Sequence, residues 1–190
     1  MKKKTIIWII VGVVILLVAW VWTSYNRLVT MSEQVDGQWA QVEVQYQRRF
    51  DLIPNLVEAV KGAMSQEESI FGDLAAARQN YAGANTVNAK AEAASQLEGA
   101  LGRLLAIMEN YPELKSIESV QTLMAQLEGT ENRVSVERTR FNDGVRNYNI
   151  VIKRFPMKLI ASSFSYFEKA YFEVSEIAAE APKVDFNLGE

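Results

Sequence analysis

The stretch RRFDLIPNLVEAVK, Arg48 to Lys61, carries the periodicity that decides the fold of this chain. Its apolar residues recur at steps of three and four, the spacing of one face of an α-helix: Ile53, Leu56, Val57 and Val60. Pro54 interrupts this pattern, because a proline inside a helix removes one backbone hydrogen bond and costs about 3 kcal/mol unless something compensates. We therefore expect either a kink at Pro54 or a side chain that donates to the carbonyl of Phe50.

The same periodicity extends towards the N-terminus and predicts one long helix. Its seam alternates steps of three and four from Leu28 to Met64, which is typical of a helix packed lengthwise against others. The chain of 190 residues contains only 4 Pro and 10 Gly, so long stretches lack a helix breaker. Gly62 resembles a helix stop and residues 65–68 resemble a capping box. Residues 65–81 then form a separate helix or lengthen the first one.

Loop and breaker signals divide the rest of the chain. AGANTVN, residues 82–88, reads as a loop in which Thr86 or Asn88 caps the next helix, and Pro112 ends that helix. A last long helix is predicted over residues 116–155, and a short helix follows it. Gly99 and Gly102 lie three residues apart inside a helix, where close helix packing is the expected explanation.

The N-terminal segment MKKKTIIWIIVGVVILLVAWVWTSYNR predicts a membrane anchor. Residues 5–23 are almost all apolar and span roughly 28 Å as a helix, about the thickness of the hydrocarbon core. A cleaved signal peptide is the competing interpretation, but Trp20, Trp22 and Tyr25 suit an interfacial aromatic belt better than a cleavage site. Lysines 2–4 predict a cytoplasmic N-terminus, and hence a single-pass protein of the inner (cytoplasmic) membrane whose bulk is extracytoplasmic.

These signals predict an all-α fold, with an N-terminal transmembrane helix followed by an antiparallel bundle of three long helices plus a short fourth helix. The expected division is residues 1–24 as cytoplasmic tip and signal anchor, 25–172 as helical bundle and 173–190 as acidic tail. Residues 25–61 would form an arm of roughly 55 Å and residues 116–155 one of about 60 Å, and the two pieces between them, 65–81 and 86–111, sum to roughly 65 Å, which fits an up–down–up bundle. These lengths also place the aromatic stretch 155–172 far from the bilayer.

Composition excludes several kinds of site. The chain has no Cys, and therefore neither a disulfide nor a thiolate nucleophile, and it has no His, the commonest general base and transition-metal ligand. The formal net charge is −3, and the N-terminal lysines contribute much of the positive charge, so the rest of the chain is more acidic still. A nucleic-acid partner is disfavoured, because phosphate binding needs a basic face. We expect no cofactor, metal or catalytic residue.

A polar cluster accompanies the helical pattern around Pro54. Glu131, Arg138, Asn142 and Asn149 recur at helical steps along the last long helix, and Arg49 lies on or beside the first seam. We expect Arg49 to pair with Glu131 or a nearby acid, since an unpaired buried charge is costly. The candidate structural cluster comprises Arg48, Arg49, Asp51, Pro54, Asn55, Glu131, Arg138, Asn142 and Asn149.

Three interpretations of this cluster stay open. It could be a polar ladder that fixes helix register, a groove that binds a peptide or partner helix, or a catalytic site that uses carboxylates alone. The aromatic stretch has two interpretations, a cap on the core or an exposed docking patch. The candidate docking residues are Phe164, Phe167, Tyr171 and Phe172.

Several blocks of the sequence resemble the LemA family: YNRLV, VDGQWAQVEVQYQRRFDLIPNLVEAVK, ENYPELKS, LEGTENRVSVERTRFNDGVRNYN and the FP before the last helix. The resemblance runs from about Tyr25 to Phe186. It departs mildly at Phe50 and Phe141, where smaller residues or tyrosine are frequent. It implies a bacterial single-pass membrane protein with an antiparallel helical bundle. Family members have been associated with membrane proteases and with membrane-organelle formation, which implies scaffolding and no catalytic residues.

Two classes of function follow as hypotheses. The first is a non-enzymatic scaffold or adaptor for unidentified envelope proteins, with membrane proteases among the candidates. The second is a carboxylate-based hydrolase. Homo-oligomeric membrane organisation, through the bundle or the anchor, is a further alternative. The bilayer is the expected partner of residues 5–23.

Overall fold

The computed structural model describes residues 2–62, 64 and 67–173. The described residues form helices and no strand, as the periodicity predicts. In chain order the helices are α1 (Lys2–Lys61), α2 (Glu68–Gly83), α3 (Val87–Met108), α4 (Pro112–Lys115), α5 (Glu118–Lys153) and α6 (Met157–Ser163).

Helix α1 is continuous over 60 residues and includes Pro54. The side chain of Pro54 is exposed, so its ring meets solvent and not a neighbouring helix. Near the N-terminus, α1 contains the one segment of the described chain that is long and apolar enough to cross a membrane. No residue of that apolar window is buried within the protein, as expected for a segment whose solvent is lipid.

Helix α2 is separate from α1, which answers the question left open for residues 65–81. Helix α1 ends at Lys61 and α2 begins at Glu68. The predicted capping box falls partly on residues 65 and 66, which lie outside the described residues, and Glu67 makes no side-chain capping bond. The inner face of α2 consists of Ile70, Leu74, Ala77 and Tyr81.

Helix α3 begins and ends where the sequence predicts. The Thr86 hydroxyl accepts a hydrogen bond from the backbone N–H of Ala89 at 3.2 Å and so caps α3. Pro112 does not continue α3 but starts the short helix α4, where its missing N–H is not needed. Helices α2 and α3 pack antiparallel, since Asn80 bonds Gln96 and Asp73 pairs with Arg103.

By their internal contacts, the residues of the chain form two compact units. Unit 1 contains residues 1–41 and 139–170, and unit 2 contains residues 42–138 and 171–190. Helices α1 and α5 each contribute to both units. Hydrophobic periodicity along a helix reveals its buried face, but it does not reveal where contacts pass from one cluster of neighbours to the next.

In unit 1 the first part of α1 packs antiparallel to the last part of α5. The rings of Trp39 and Phe141 lie 5.1 Å apart. A Cβ at Gly144 would lie 1.8 Å from the Gln38 side-chain oxygen, so glycine permits this close approach. The core of unit 1 is apolar and fully enclosed, with Leu28, Val35, Val145 and Ile152 among its buried residues.

After α6 the chain returns along α5 as a segment that we call the strap, residues 164–170. Asn149 fixes it twice, since its amide donates to the Lys169 carbonyl at 2.9 Å and its oxygen accepts from the Lys169 N–H at 3.0 Å. The Tyr148 hydroxyl donates to the Phe167 carbonyl at 3.1 Å. Lys169 also pairs with Asp36 of α1.

The start of the strap lies beside the outer end of the apolar segment. The ring centroids of Tyr25 and Phe164 are 4.8 Å apart, and Tyr25 follows residues 5–23 by two positions. The expectation that this aromatic stretch lies far from the apolar segment is therefore wrong at Phe164 and Tyr166, whose rings lie beside Tyr25. It treated residues 65–111 as one arm, whereas α2 and α3 fold back on each other and add a reversal of chain direction.

Candidate functional site

A groove of about 790 Å³ runs between α3 and α5 in unit 2. Gly102 and Leu105 of α3 and Met124 of α5 line its walls, and Leu105 is 39% exposed. Its floor consists of buried apolar side chains from both helices: Leu101, Met108, Val120 and Leu127. The groove therefore offers an apolar surface to a ligand.

The two glycines of α3 have no packing role. A Cβ at Gly99 or at Gly102 would find no atom within 4 Å. The prediction that close helix packing requires them is wrong. Gly102 borders the groove, whereas Gly99 is exposed and does not line it.

Arg49 closes one end of the groove. Its side chain is 8% exposed and pairs with Glu131, and its Nη1 lies 3.9 Å from Glu98 Oε1. Nε and Nη1 of Arg49 are buried without a hydrogen bond of good geometry from the described residues. The contact with Glu131 is thus an ion pair by proximity, and Arg49 retains unused donor capacity.

Glu98 is the centre of this cluster. Its Oε1 accepts from the Tyr46 hydroxyl at 3.3 Å and from Arg138 Nη1 at 3.4 Å. Burial raises the pKa of the Glu98 carboxyl above its usual range, and nearby Glu131 adds to the rise, while Arg138 and Arg49 oppose it. Burial, with the Glu98 charge beside it, raises the pKa of the Tyr46 hydroxyl as well.

The groove lining is acidic overall. It contains one cation, Arg49, and four carboxylates, of which Glu109 and Glu128 are exposed on the rim. Arg49 and Arg138 engage the other two, Glu98 and Glu131. The two rim carboxylates are therefore the charges that an incoming ligand meets first.

The other predicted cluster residues are dispersed. Arg48 and Asp51 are exposed and border a second cavity of about 450 Å³ with Thr130 and Arg133, and Asp51 accepts from Gln47. Pro54 and Asn55 are exposed. Asn142 and Asn149 belong to unit 1, where Asn149 binds the strap. Only Arg49, Glu131 and Arg138 of the predicted set come together.

Sequence reasoning missed Glu98. It follows Leu97 and precedes Leu101 by three residues, so it lies at the edge of the apolar face of α3. A carboxylate in that position usually reaches solvent, and only the presence of two arginines on other helices keeps this one inside.

The candidate docking aromatics also separate. Phe172 is 2% exposed and stacks on Tyr46 at 5.9 Å, with Arg138 5.0 Å from its ring centroid, so it belongs to the core of unit 2. Phe164, Phe167 and Tyr171 remain exposed.

Within the described residues, no group of three or more acidic side chains is arranged to hold a metal ion. A comparison with curated proteins found no match. A comparison with protein families gave one match, which covers residues 38–186 and therefore most of the chain, including α2 to α6 and the groove. By this match the chain belongs to the LemA family.

Proposed function

We propose that this chain is a single-pass membrane protein that acts as a non-enzymatic adaptor, and that its groove binds a basic, amphipathic helix of another envelope protein. The apolar segment of α1 supports anchoring in the inner membrane. The lysines ahead of it favour a cytoplasmic N-terminus and an extracytoplasmic bulk.

The observation that carries the proposal is the form of the groove. Its lining runs from Glu98 to Glu109 on α3 and from Val120 to Glu131 on α5, and each run rises about 16 Å, or three helical turns. Two walls of this length can accommodate a third helix that anchors through apolar residues at helical spacing.

The negative charge of the groove lining favours a partner that carries positive charge. The carboxylates outnumber the single arginine in the lining, and Glu109 and Glu128 are exposed on the rim. Complementary charge favours a helix whose apolar stripe is flanked by Lys or Arg. A membrane protease is one class of partner that could carry such a helix.

A binding role fits the carboxylates better than catalysis does. Glu98 and Glu131 both face arginines, and Glu98 also accepts from Tyr46. A general base needs an oxygen within hydrogen-bond reach of the substrate proton, and these carboxylates already face groups of the protein itself. The cluster therefore serves best as a rigid, charged end of the docking groove.

The test places a photo-crosslinking amino acid at Met124, which lines the groove, in the full chain in its native membrane. We expect crosslinks to one dominant protein, through a peptide that is apolar on one face and basic at its edges. Gly102→Trp places a large ring at the groove, where the added Cβ itself meets no atom within 4 Å, and should abolish the crosslink.

Gly99→Trp is the matched control, because it adds the same side chain on the same helix outside the groove. It should leave the crosslink intact. Equal crosslinking in both tryptophan variants would refute docking in the groove. Crosslinks only between copies of this chain would favour self-assembly instead.

A further inference from the structure

We propose that a second surface, on unit 1, lies against the bilayer and binds the headgroups of anionic phospholipids. We call it the basal patch, and it comprises Lys153, Arg154, Phe155, Lys158, Leu159 and Phe164. The proposal rests on the membrane anchoring proposed above, but not on the groove or its partner.

The basal patch exposes large apolar side chains that the fold does not use. Phe155 is 81% exposed, Leu159 is 59% exposed and Phe164 is 49% exposed. Helix α6 instead buries Ile160 and Ala161. Aromatic side chains are enriched where one surface meets both lipid and water, and they bind there through their amphipathic rings.

The register of α1 against α5 sets the height of the patch above the hydrocarbon. Gln38 lies opposite Gly144, and the two helices run antiparallel, so equal steps along them, continued two residues past the end of α5 at Lys153, bring Phe155 level with Arg27. Arg27 is four residues beyond Thr23, or about 6 Å along the helix axis. That distance lies within the headgroup layer, which extends roughly 5–8 Å beyond the hydrocarbon core.

An independent contact gives the same height. The Tyr25 ring lies 4.8 Å from the Phe164 ring and 6.3 Å from the Tyr166 ring. Tyr25 follows the end of the apolar segment directly. The part of the chain after α6 therefore reaches the level at which α1 leaves the hydrocarbon.

The charge of the basal patch favours anionic lipid. Lys153, Arg154 and Lys158 are exposed and cluster within six residues. Lys153 pairs with Glu168 at 2.8 Å, an exposed contact on the strap side, and such pairs contribute little because water screens them. Basic side chains beside exposed aromatics at the membrane surface match phosphate-bearing headgroups.

The strap leaves the level of Tyr25 after Tyr166, which supplies an internal control. The Phe167 carbonyl accepts from Tyr148, and the same register places Tyr148 level with position 34 of α1, about 16 Å beyond Thr23. Phe167 is 75% exposed, nearly as much as Phe155, but it lies above the headgroup layer.

The chain contains no Cys, so one introduced cysteine carries a label at a single site. The test uses the full chain, one copy per nanodisc, with a fluorophore at Phe155→Cys or Leu159→Cys. Phe167→Cys is the matched control and Leu16→Cys, inside the apolar segment, reports anchoring. Lipids that carry a quencher near the headgroup then measure contact with the bilayer surface at 155, 159 and 167, and lipids that carry a quencher on the acyl chain report the label at 16.

In discs of equal parts phosphatidylglycerol and phosphatidylcholine, we expect labels at 155 and 159 to be quenched at least about twofold more than the label at 167. Quenching at 155 and 159 should fall in pure phosphatidylcholine. It should also fall at high salt, because the Debye length shrinks from about 10 Å at 0.1 M to about 3 Å at 1 M. The double variant Arg154→Gln, Lys158→Gln should likewise lower the quenching at 155 and 159.

Three results would overturn the proposal. In the first, labels at 155 and 159 are quenched as weakly as the label at 167, although the label at 16 is strongly quenched. That result would refute contact between the patch and the bilayer and would leave the anchoring intact. Equal quenching with and without phosphatidylglycerol would remove the anionic headgroup as ligand. A label at 16 that escapes quenching would show that the anchor itself is misassigned. Circular dichroism of each variant must match that of the parent chain.

Discussion

At the scale of the residue, Arg49 decides the stability of the cluster in unit 2. It is 6% exposed and lies between two carboxylates, of which Glu98 is largely enclosed. Without the guanidinium, Glu98 and Glu131 would face each other with less compensation, and loss of one partner of a buried pair is strongly destabilising.

We therefore predict that Arg49→Met lowers the free energy of unfolding by about 2 kcal/mol, a moderate value because Glu131 is partly exposed and can rehydrate. Arg48→Met is the matched control, since Arg48 is the exposed neighbour, and it should change stability by less than about 0.5 kcal/mol. Denaturant titration in detergent measures both. A double-mutant cycle with Glu131→Gln that shows no coupling would contradict the pairing.

Glu98 gives a prediction about pH. Its folded-state pKa is raised by burial, so the protonated form is the one that the fold favours. The contribution of Glu98 to stability is then fully present below the unfolded-state pKa and is lost as pH rises through the raised folded-state pKa.

Glu98→Gln should remove this contribution to the pH dependence, because glutamine does not titrate. The unfolding free energy of the parent should therefore fall relative to that of Glu98→Gln as pH rises from about 4 into the weakly acidic range. Glu92→Gln, on the exposed side of α3, serves as control. A difference that moves in the opposite direction would show that the arginines, and not burial, dominate at Glu98.

At the scale of the element, α3 keeps two glycines that its packing does not need. Glycine inside a helix is less stable than alanine by up to about 1 kcal/mol, because it has more backbone freedom to lose. A Cβ at Gly102 meets open space, whereas a Cβ at Gly144 of α5 would collide with Gln38.

Gly102→Ala should therefore stabilise the chain by about 0.5–1 kcal/mol. Gly144→Ala should not, because Gln38 must move first. Thermal unfolding followed by circular dichroism compares the two. Equal stabilisation by both substitutions would mean that the Gln38 side chain moves without cost. The gain at Gly102 would also fit a role in keeping the groove open, since stability alone favours a larger residue there.

At the scale of the whole molecule, sequence periodicity predicted the elements better than their arrangement. Thr86 caps α3, as expected, because caps act locally, and Pro112 starts α4 four residues after α3 ends at Met108. Gly62 marked the end of α1 at Lys61, whereas the return of the chain to Tyr25 depends on contacts between distant residues, about which a single sequence carries no direct signal.

The site shows the same limit of local signals. The position of Arg49 on the apolar seam predicted that this charge needs a partner. The helical spacing of polar residues along α5 predicted that Glu131 and Arg138 lie on the facing stripe. Glu98 completes the cluster from a third helix, and nothing in its own surroundings distinguishes it from a solvent-facing carboxylate. Phe172 resembled the other aromatics of its stretch, and only the tertiary fold buries it.

Both the groove partner and the basal patch depend on α1 crossing the inner membrane with the bulk of the chain outside the cytoplasm. The most direct test labels single cysteines with a membrane-impermeant maleimide in intact spheroplasts. Gly99→Cys, which is exposed on α3, should react in intact cells, and Lys3→Cys should react only after lysis. Reaction of Lys3→Cys in intact spheroplasts, with Gly99→Cys protected until lysis, would contradict the account.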